Sequence, residues 1–181
     1  YWVKEYHIDG FRFDLMGVHD IETMNIISDE LHKIKPDILL YGEGWTAGAS
    51  PLPDSTRALK KNAAKLRNIA VFSDDIRDGI KGSVFEIKDR GFASSKKGME
   101  ESVKFGIVAA SNHPQVDLSK VNYSKEAYSK APWNVIIYSV CHDNNTVWDK
   151  LSLSCPEASN EDITKMQELS LAIVLTSQGI P

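Results

Sequence analysis

Three acidic residues, Asp14, Glu43 and Asp143, each stand just beyond a short run rich in apolar and aromatic residues. The runs are His7 to Phe13, Ile38 to Gly42 and Val135 to Ser139. Alternating with segments of helical periodicity, they read as strands of a parallel sheet, hence an α/β fold built from βαβ units. In a parallel barrel the strand C-termini converge on one rim, so distance in sequence does not keep the three acids apart. Residues two apart on a strand share a face, which puts Arg12 beside Asp14. A guanidinium there favours the ionised carboxylate that a nucleophile needs. Glu43 lies between Gly42 and Gly44 with Tyr41 and Trp45 close by, and apolar surroundings favour the protonated form of a general acid. Two carboxylates tuned in opposite directions are what glycoside hydrolysis requires. Trp45 suits a platform for a sugar ring, and His142 beside Asp143 suits hydrogen bonds to sugar hydroxyls. The plainer readings stay open: a structural Arg12–Asp14 pair, Trp45 as packing, and His142–Asp143 as half of a metal site.

The elements that must position these residues follow from spacing. Asp20 suits the N-cap of a helix from Ile21, whose apolar stripe is Ile21, Met24, Ile27, Leu31 and Ile34. Pro36 stops that helix. A helix is expected around Ser55 to Leu66, then a strand from Ile69 to Phe72. The stretch from Ser73 to Pro132 gives no clear pattern. A last helix runs from about Glu161 to Thr176, with Asn160 as cap and Ile163, Met166, Leu169 and Ile173 facing inward.

Composition narrows the function classes. The 21 basic and 25 acidic residues are scattered, for a net charge of −4. The densest basic stretch, Lys60 to Arg67, is short and broken by Asn and Ala, and reads as a solvated helix face with no nucleic-acid partner. No apolar run approaches the roughly 20 residues of a membrane helix. Cys141 and Cys155 form neither a disulfide framework nor a metal cluster, and a free buried thiol near the 135–140 strand is expected. His7, His19, His32 and His113 offer no ligand register beside His142–Asp143, so a metal-dependent phosphohydrolase is disfavoured. Neither a metal nor a cofactor is expected.

The motifs add a resemblance. GFRFDLMG from Gly10, LLYGEGW from Leu39 and CHDNNTVWDKL from Cys141 resemble, in order and spacing, the three carboxylate motifs of the alpha-amylase-like glycoside hydrolases. HIDGFRFDLMG, GEGWTAGASPLP, VFSDDIRDGIKGSVF and HDNNTVWDKL are similar to stretches of the type I pullulanases. The SDDIRDGIKG part resembles debranching enzymes more widely.

The resemblance implies a TIM (β/α)8 barrel, of which residues 1–181 are one partial catalytic domain truncated at both ends. It implies about strands four to seven plus the start of strand eight. It also implies a retaining hydrolase of α-1,6 links in pullulan and branched starch-type glucans, with an α-glucan as partner. Asp14 is then the nucleophile, Glu43 the acid/base and Asp143 the third acid, with Arg12, His142 and Trp45 as substrate contacts. Asp14 and Glu43 are expected roughly 5–5.5 Å apart. An isoamylase- or glycogen-debranching-like enzyme, and a non-catalytic amylase-like binding subunit, are the alternatives. A partial barrel exposes sheet edges, so self-association and loss of activity in the isolated chain are expected as well.

Overall fold

Four short strands, β1 (Gly10–Phe13), β2 (Leu39–Gly42), β3 (Ala70–Phe72) and β4 (Val135–Ile136), lie side by side in chain order, and every neighbouring pair is parallel. The structure is a computed structural model that describes residues 1–181. Ile180 forms a further parallel bridge to Ile136. The register sets Arg12 opposite Tyr41, Tyr41 opposite Ala70, and Phe72 opposite Ile136.

Alternation along the strands sorts the side chains onto two faces. Phe11, Leu40, Val71, Val135 and Ile137 point to one of them, into the main core. The helices α2 (Ile21–Ile34), α3 (Asp74–Lys81), α4 (Glu100–Ile107) and α6 (Asn160–Thr176) add Met24, Ile76, Ile80, Phe105 and Val174 to that core. A preceding short helix, α1 (Trp2–Tyr6), adds Val3, and α5 (Val147–Ser154) packs on α6 through Val147, Leu151 and Ile163. No helix is long and apolar enough to cross a membrane.

The other face carries Arg12, Tyr41, Phe72, Ile136 and Tyr138 and lines a hollow of about 380 Å³. No helix layer covers it, so β2 is not buried on both faces as its apolar run suggests: Leu40 is sealed, while Leu39 is 41% exposed.

Several expected boundaries shift. His7 takes a left-handed conformation closing α1, so β1 starts at Gly10. Helix α2 is as expected, capped by Asp20, whose side chain accepts from the Thr23 amide. Of its stripe only Ile34 turns out to solvent. The segment from Ser55 to Leu66 forms 3-10 turns at Asp54–Thr56 and Lys60–Lys65 instead of a helix. Its amides are spent on tertiary partners: Ala58 donates to the His19 carbonyl and Lys60 to that of Gly44. Ser159, one residue before Asn160, caps α6 by accepting from the Asp162 amide. On that helix Leu169 faces outward, and Ser170 and Val174 turn in.

Candidate active site

The site begins with a turn. After β1, Leu15 adopts a left-handed conformation (φ 42°), which swings its amide toward β2. That amide donates to Glu43 Oε2 at 2.8 Å. The backbone reinforces the join: the Glu43 amide donates to the Phe13 carbonyl, and Gly17 donates to the Glu43 carbonyl. Glu43 is thereby fixed at the end of β2 and is only 5% exposed.

Arg12 joins two of the acids. Its Nη1 donates to Asp14 Oδ1 at 2.6 Å and its Nη2 to Glu43 Oε1 at 2.6 Å. The guanidinium lies over the Phe72 ring, 5.9 Å from the centroid. Burial works against its charge, but Asp14, Glu43 and Asp143 outweigh that cost and raise its pKa above the ordinary value. All three acids therefore act on one guanidinium. The expectation that Glu43 sits among apolar groups is corrected. It is buried, but it is bound to a cation and a main-chain amide because the β1–β2 register brings Arg12 level with Tyr41, two residues before it.

The two ends of the bridge differ in access. The Asp14 side chain is 68% exposed, whereas that of Glu43 is nearly sealed. Glu43, Trp45 and Asp143 line a cleft of about 530 Å³, together with Asp74, Arg77 and Phe85. Trp45 is half-buried, with its ring 6.4 Å from that of Phe72, so it both packs and lines the cleft. Arg12 and His142 border the adjoining hollow of about 380 Å³. His142 Nε2 lies 3.4 Å from Asp143 Oδ1, and both side chains are exposed.

The donor atoms of Cys141, His142 and Asp143 lie within 4.8 Å of one another. The three residues are consecutive, and a tight turn gives such proximity without any ion. Cys155 is the buried free thiol, and Cys141 near β4 is half-buried.

Asp74 and Arg77 line the cleft from α3, within the stretch whose sequence shows no clear pattern. Their signal was there: Ser73-Asp74-Asp75 is a helix start, with acids in the first turn beside the dipole's positive end. Arg77 donates to Asp78 Oδ1 at 2.5 Å and to the Tyr138 hydroxyl at 3.0 Å. Lys60, expected on a solvated helix face, is instead turned inward and ion-paired with Asp74 and Asp75, the latter at 2.8 Å. The two acids hold its pKa above the ordinary value against the cost of burial. Lys61, Lys65 and Arg67 do face solvent.

No family model matches the chain. Pullulanase of Bacillus subtilis (strain 168) is 38% identical over 181 residues, all of this chain and 24% of the relative. The crystal structure of that type I enzyme complexed with maltose superposes with a TM-score of 0.90 at 38% identity. That of Paenibacillus barengoltzii pullulanase, complexed with maltohexaose and alpha-cyclodextrin, superposes with a TM-score of 0.87 at 47% identity, over 99% of this chain and 26% of that one. The chain spans about a quarter of the length of these relatives, and along the whole of its own length it is a homologue of the type I pullulanases.

Proposed function

We propose that this chain supplies the catalytic carboxylates of a glycoside hydrolase that cleaves α-1,6-glucosidic links in pullulan and branched starch-type glucans. The observation that carries the reading is the single guanidinium shared by Asp14 and Glu43, with Asp143 acting on it too. The pullulanase relatives solved with maltose and maltohexaose support an α-glucan as the ligand. In this reading residues 1–181 are part of one (β/α)8 catalytic domain, about strands four to seven with Ile180 opening strand eight.

The chemistry is a retaining double displacement. A carboxylate oxygen of Asp14, the accessible acid, attacks the anomeric carbon. The bond from that carbon to the O6 of the neighbouring glucose breaks, and Glu43 gives its proton to the departing oxygen. Glu43 then takes a proton from water, the water oxygen bonds to the anomeric carbon, and Asp14 leaves. Asp143 steadies the oxocarbenium-like sugar, Trp45 stacks on a ring, and His142 and Arg12 serve as further contacts. A carboxylate separation of roughly 5–5.5 Å suits this outcome.

The test is reducing-end release from pullulan and from unbranched amylose. It is run with this chain and with the B. subtilis relative carrying this segment in place of its own. The expected result is cleavage of pullulan but not amylose by the chimaera, abolished by Asp14→Asn and by Glu43→Gln, and no cleavage by the isolated chain. A chimaera that folds and binds maltotetraose, yet keeps its rate after Asp14→Asn, would overturn the assignment.

A further inference from the structure

Lys81 is a fully buried lysine, at 1% exposure. It sits in the last turn of α3, before Gly82 closes the helix in the positive-φ region at 87°. A buried ammonium requires partners, and the nearest acid on its own helix is already committed. Asp78 accepts from Arg77 at one oxygen and from the Tyr123 hydroxyl at the other. The one hydrogen bond its side chain makes is from Nζ to the Asn145 carbonyl, at 3.3 Å.

That carbonyl belongs to the loop between β4 and α5, which carries Asp143. The loop's other ties are local ones, from Cys141 Sγ to the Asp143 carbonyl at 3.8 Å and from His142 Nε2 to Asp143 Oδ1 at 3.4 Å, and neither reaches the core. Asp143 and Asn144 are exposed in the cleft, Asn144 adopts a left-handed φ of 67°, and the next anchor is Thr146, which caps α5 by accepting from the Asp149 amide.

We infer that Lys81 is a positioning residue, holding the main chain of the 143–145 loop from inside the core and so setting where Asp143 stands in the cleft. This rests on the proposed hydrolase only for the meaning of Asp143; the tether itself is a property of the fold. The charge on Lys81 is weakly held. Burial lowers its pKa to about 8, and Arg77 on the same helix and Lys150 on α5 oppose the charge. Asp78 and Cys141, the latter at the root of the loop, favour it. The grip on Asn145 is therefore strongest below that pH and weakens as the ammonium loses its proton.

The test is nuclear magnetic resonance on the isotope-labelled chain, following the Asn145 carbonyl and the amides of Asp143, Asn144 and Asn145 from pH 6 to 10. In the wild type these signals should step together with the Lys81 Cε signal, with a midpoint near 8. Lys81→Met fills the same space without a donor. It should abolish the step, displace the loop signals at pH 7, and leave signals of the β1–β2 region in place. Lys81→Arg, which keeps a donor, should restore part of the loop shift but show no step.

If the loop signals are the same in wild type and Lys81→Met, the residue merely fills the core and the inference is overturned. Should Lys81→Met not fold, the wild-type titration still decides: loop signals that ignore the Lys81 midpoint sink it. Maltotetraose affinity is read in parallel and should fall several-fold in Lys81→Met. A wild type that binds no glucan while its loop follows Lys81 counts against the hydrolase reading and leaves the tether standing.

Discussion

Arg12 Nη2 and Glu43 Oε1 meet at 2.6 Å across the β1–β2 register, and the same guanidinium holds Asp14 with its other nitrogen. A residue that grips a buried acid and an exposed one cannot be replaced by a point charge. Arg12→Met leaves Glu43 buried with the Leu15 amide as its remaining side-chain partner, at a cost of about 2 kcal/mol after allowing for the partial exposure of Arg12. Arg12→Lys keeps the charge but loses the fork, and should recover stability while losing at least tenfold in hydrolysis. Thermal unfolding in wild-type and Glu43→Gln backgrounds checks the first claim. An equal cost of Arg12→Met in both backgrounds would show that the pair is not coupled.

Gly44 is where the acid-bearing loop touches the main chain of Lys60. A Cβ there would stand 2.5 Å from the Lys60 amide nitrogen, against backbone that cannot swing aside. Gly44→Ala should cost about 2 kcal/mol, in the range of overpacked sites. Gly48, four residues on, has nothing within 4 Å of such a Cβ, so Gly48→Ala should stay within about 0.5 kcal/mol. Denaturant midpoints of the two variants decide the comparison. Similar losses in both would mean that loop flexibility, not the close approach, governs this region.

Lys60 neutralises two acids, one of them fully sealed. Without it, Asp75 keeps the Ser124 amide and hydroxyl as donors but faces Asp74 with no cation between them. Lys60→Met is expected to destabilise by ~3 kcal/mol, the cost of breaking a buried pair from one side. Adding Asp74→Asn should return part of that loss. A Lys60→Met protein that melts at the wild-type temperature would mean the pair contributes nothing.

Lys81 shapes the pH dependence of stability with the opposite sign to a paired lysine. Its folded pKa, about 8, lies below the ordinary lysine value of 10.5, so between those values the unfolded chain binds more protons. Its contribution to stability therefore rises as pH climbs from 8 to 10.5. Lys81→Met removes the penalty of holding the charge indoors and should be more stable than wild type by ~2 kcal/mol at pH 7, with the gap closing toward pH 10. Paired unfolding curves at pH 7 and 10 test this, and a gap that widens with pH would contradict it.

What the sequence disclosed follows physical range. Helix α2 was legible to its cap because Asp20, the apolar stripe and Pro36 are local signals. Asp14 and Glu43 were legible because each directly follows a strand, and Arg12 because strand alternation is fixed, whereas β4 ends at Ile136 and Asp143 stands in the loop beyond it. Glu43's surroundings were not, since its partner lies 31 positions away and only the β1–β2 register brings it near. Lys60 misled for the same reason: nothing beside it in sequence announces Asp74 and Asp75. The Ser55–Leu66 segment has helical composition, but carbonyls of His19 and Gly44 claim its amides. Helices α3 and α4 were hidden by their length and by the glycines at Gly79 and Gly106, which let the two pack closely.

The strand order repeats the chain order, and this carries a kinetic consequence for a ribosome-bound polypeptide. Each of β2, β3 and β4 finds the strand it pairs with already made, so none of these strands has to wait for a later one before it can pair. The Arg12 bridge between Asp14 and Glu43 needs only β1 and β2, joined through one helix, and its loop-closure entropy is small. Asp143 must await the long passage from residue 73 to 134, whose contacts close late. Synthesis thus delivers two paired acids early, and the third arrives when β4 locks against β3.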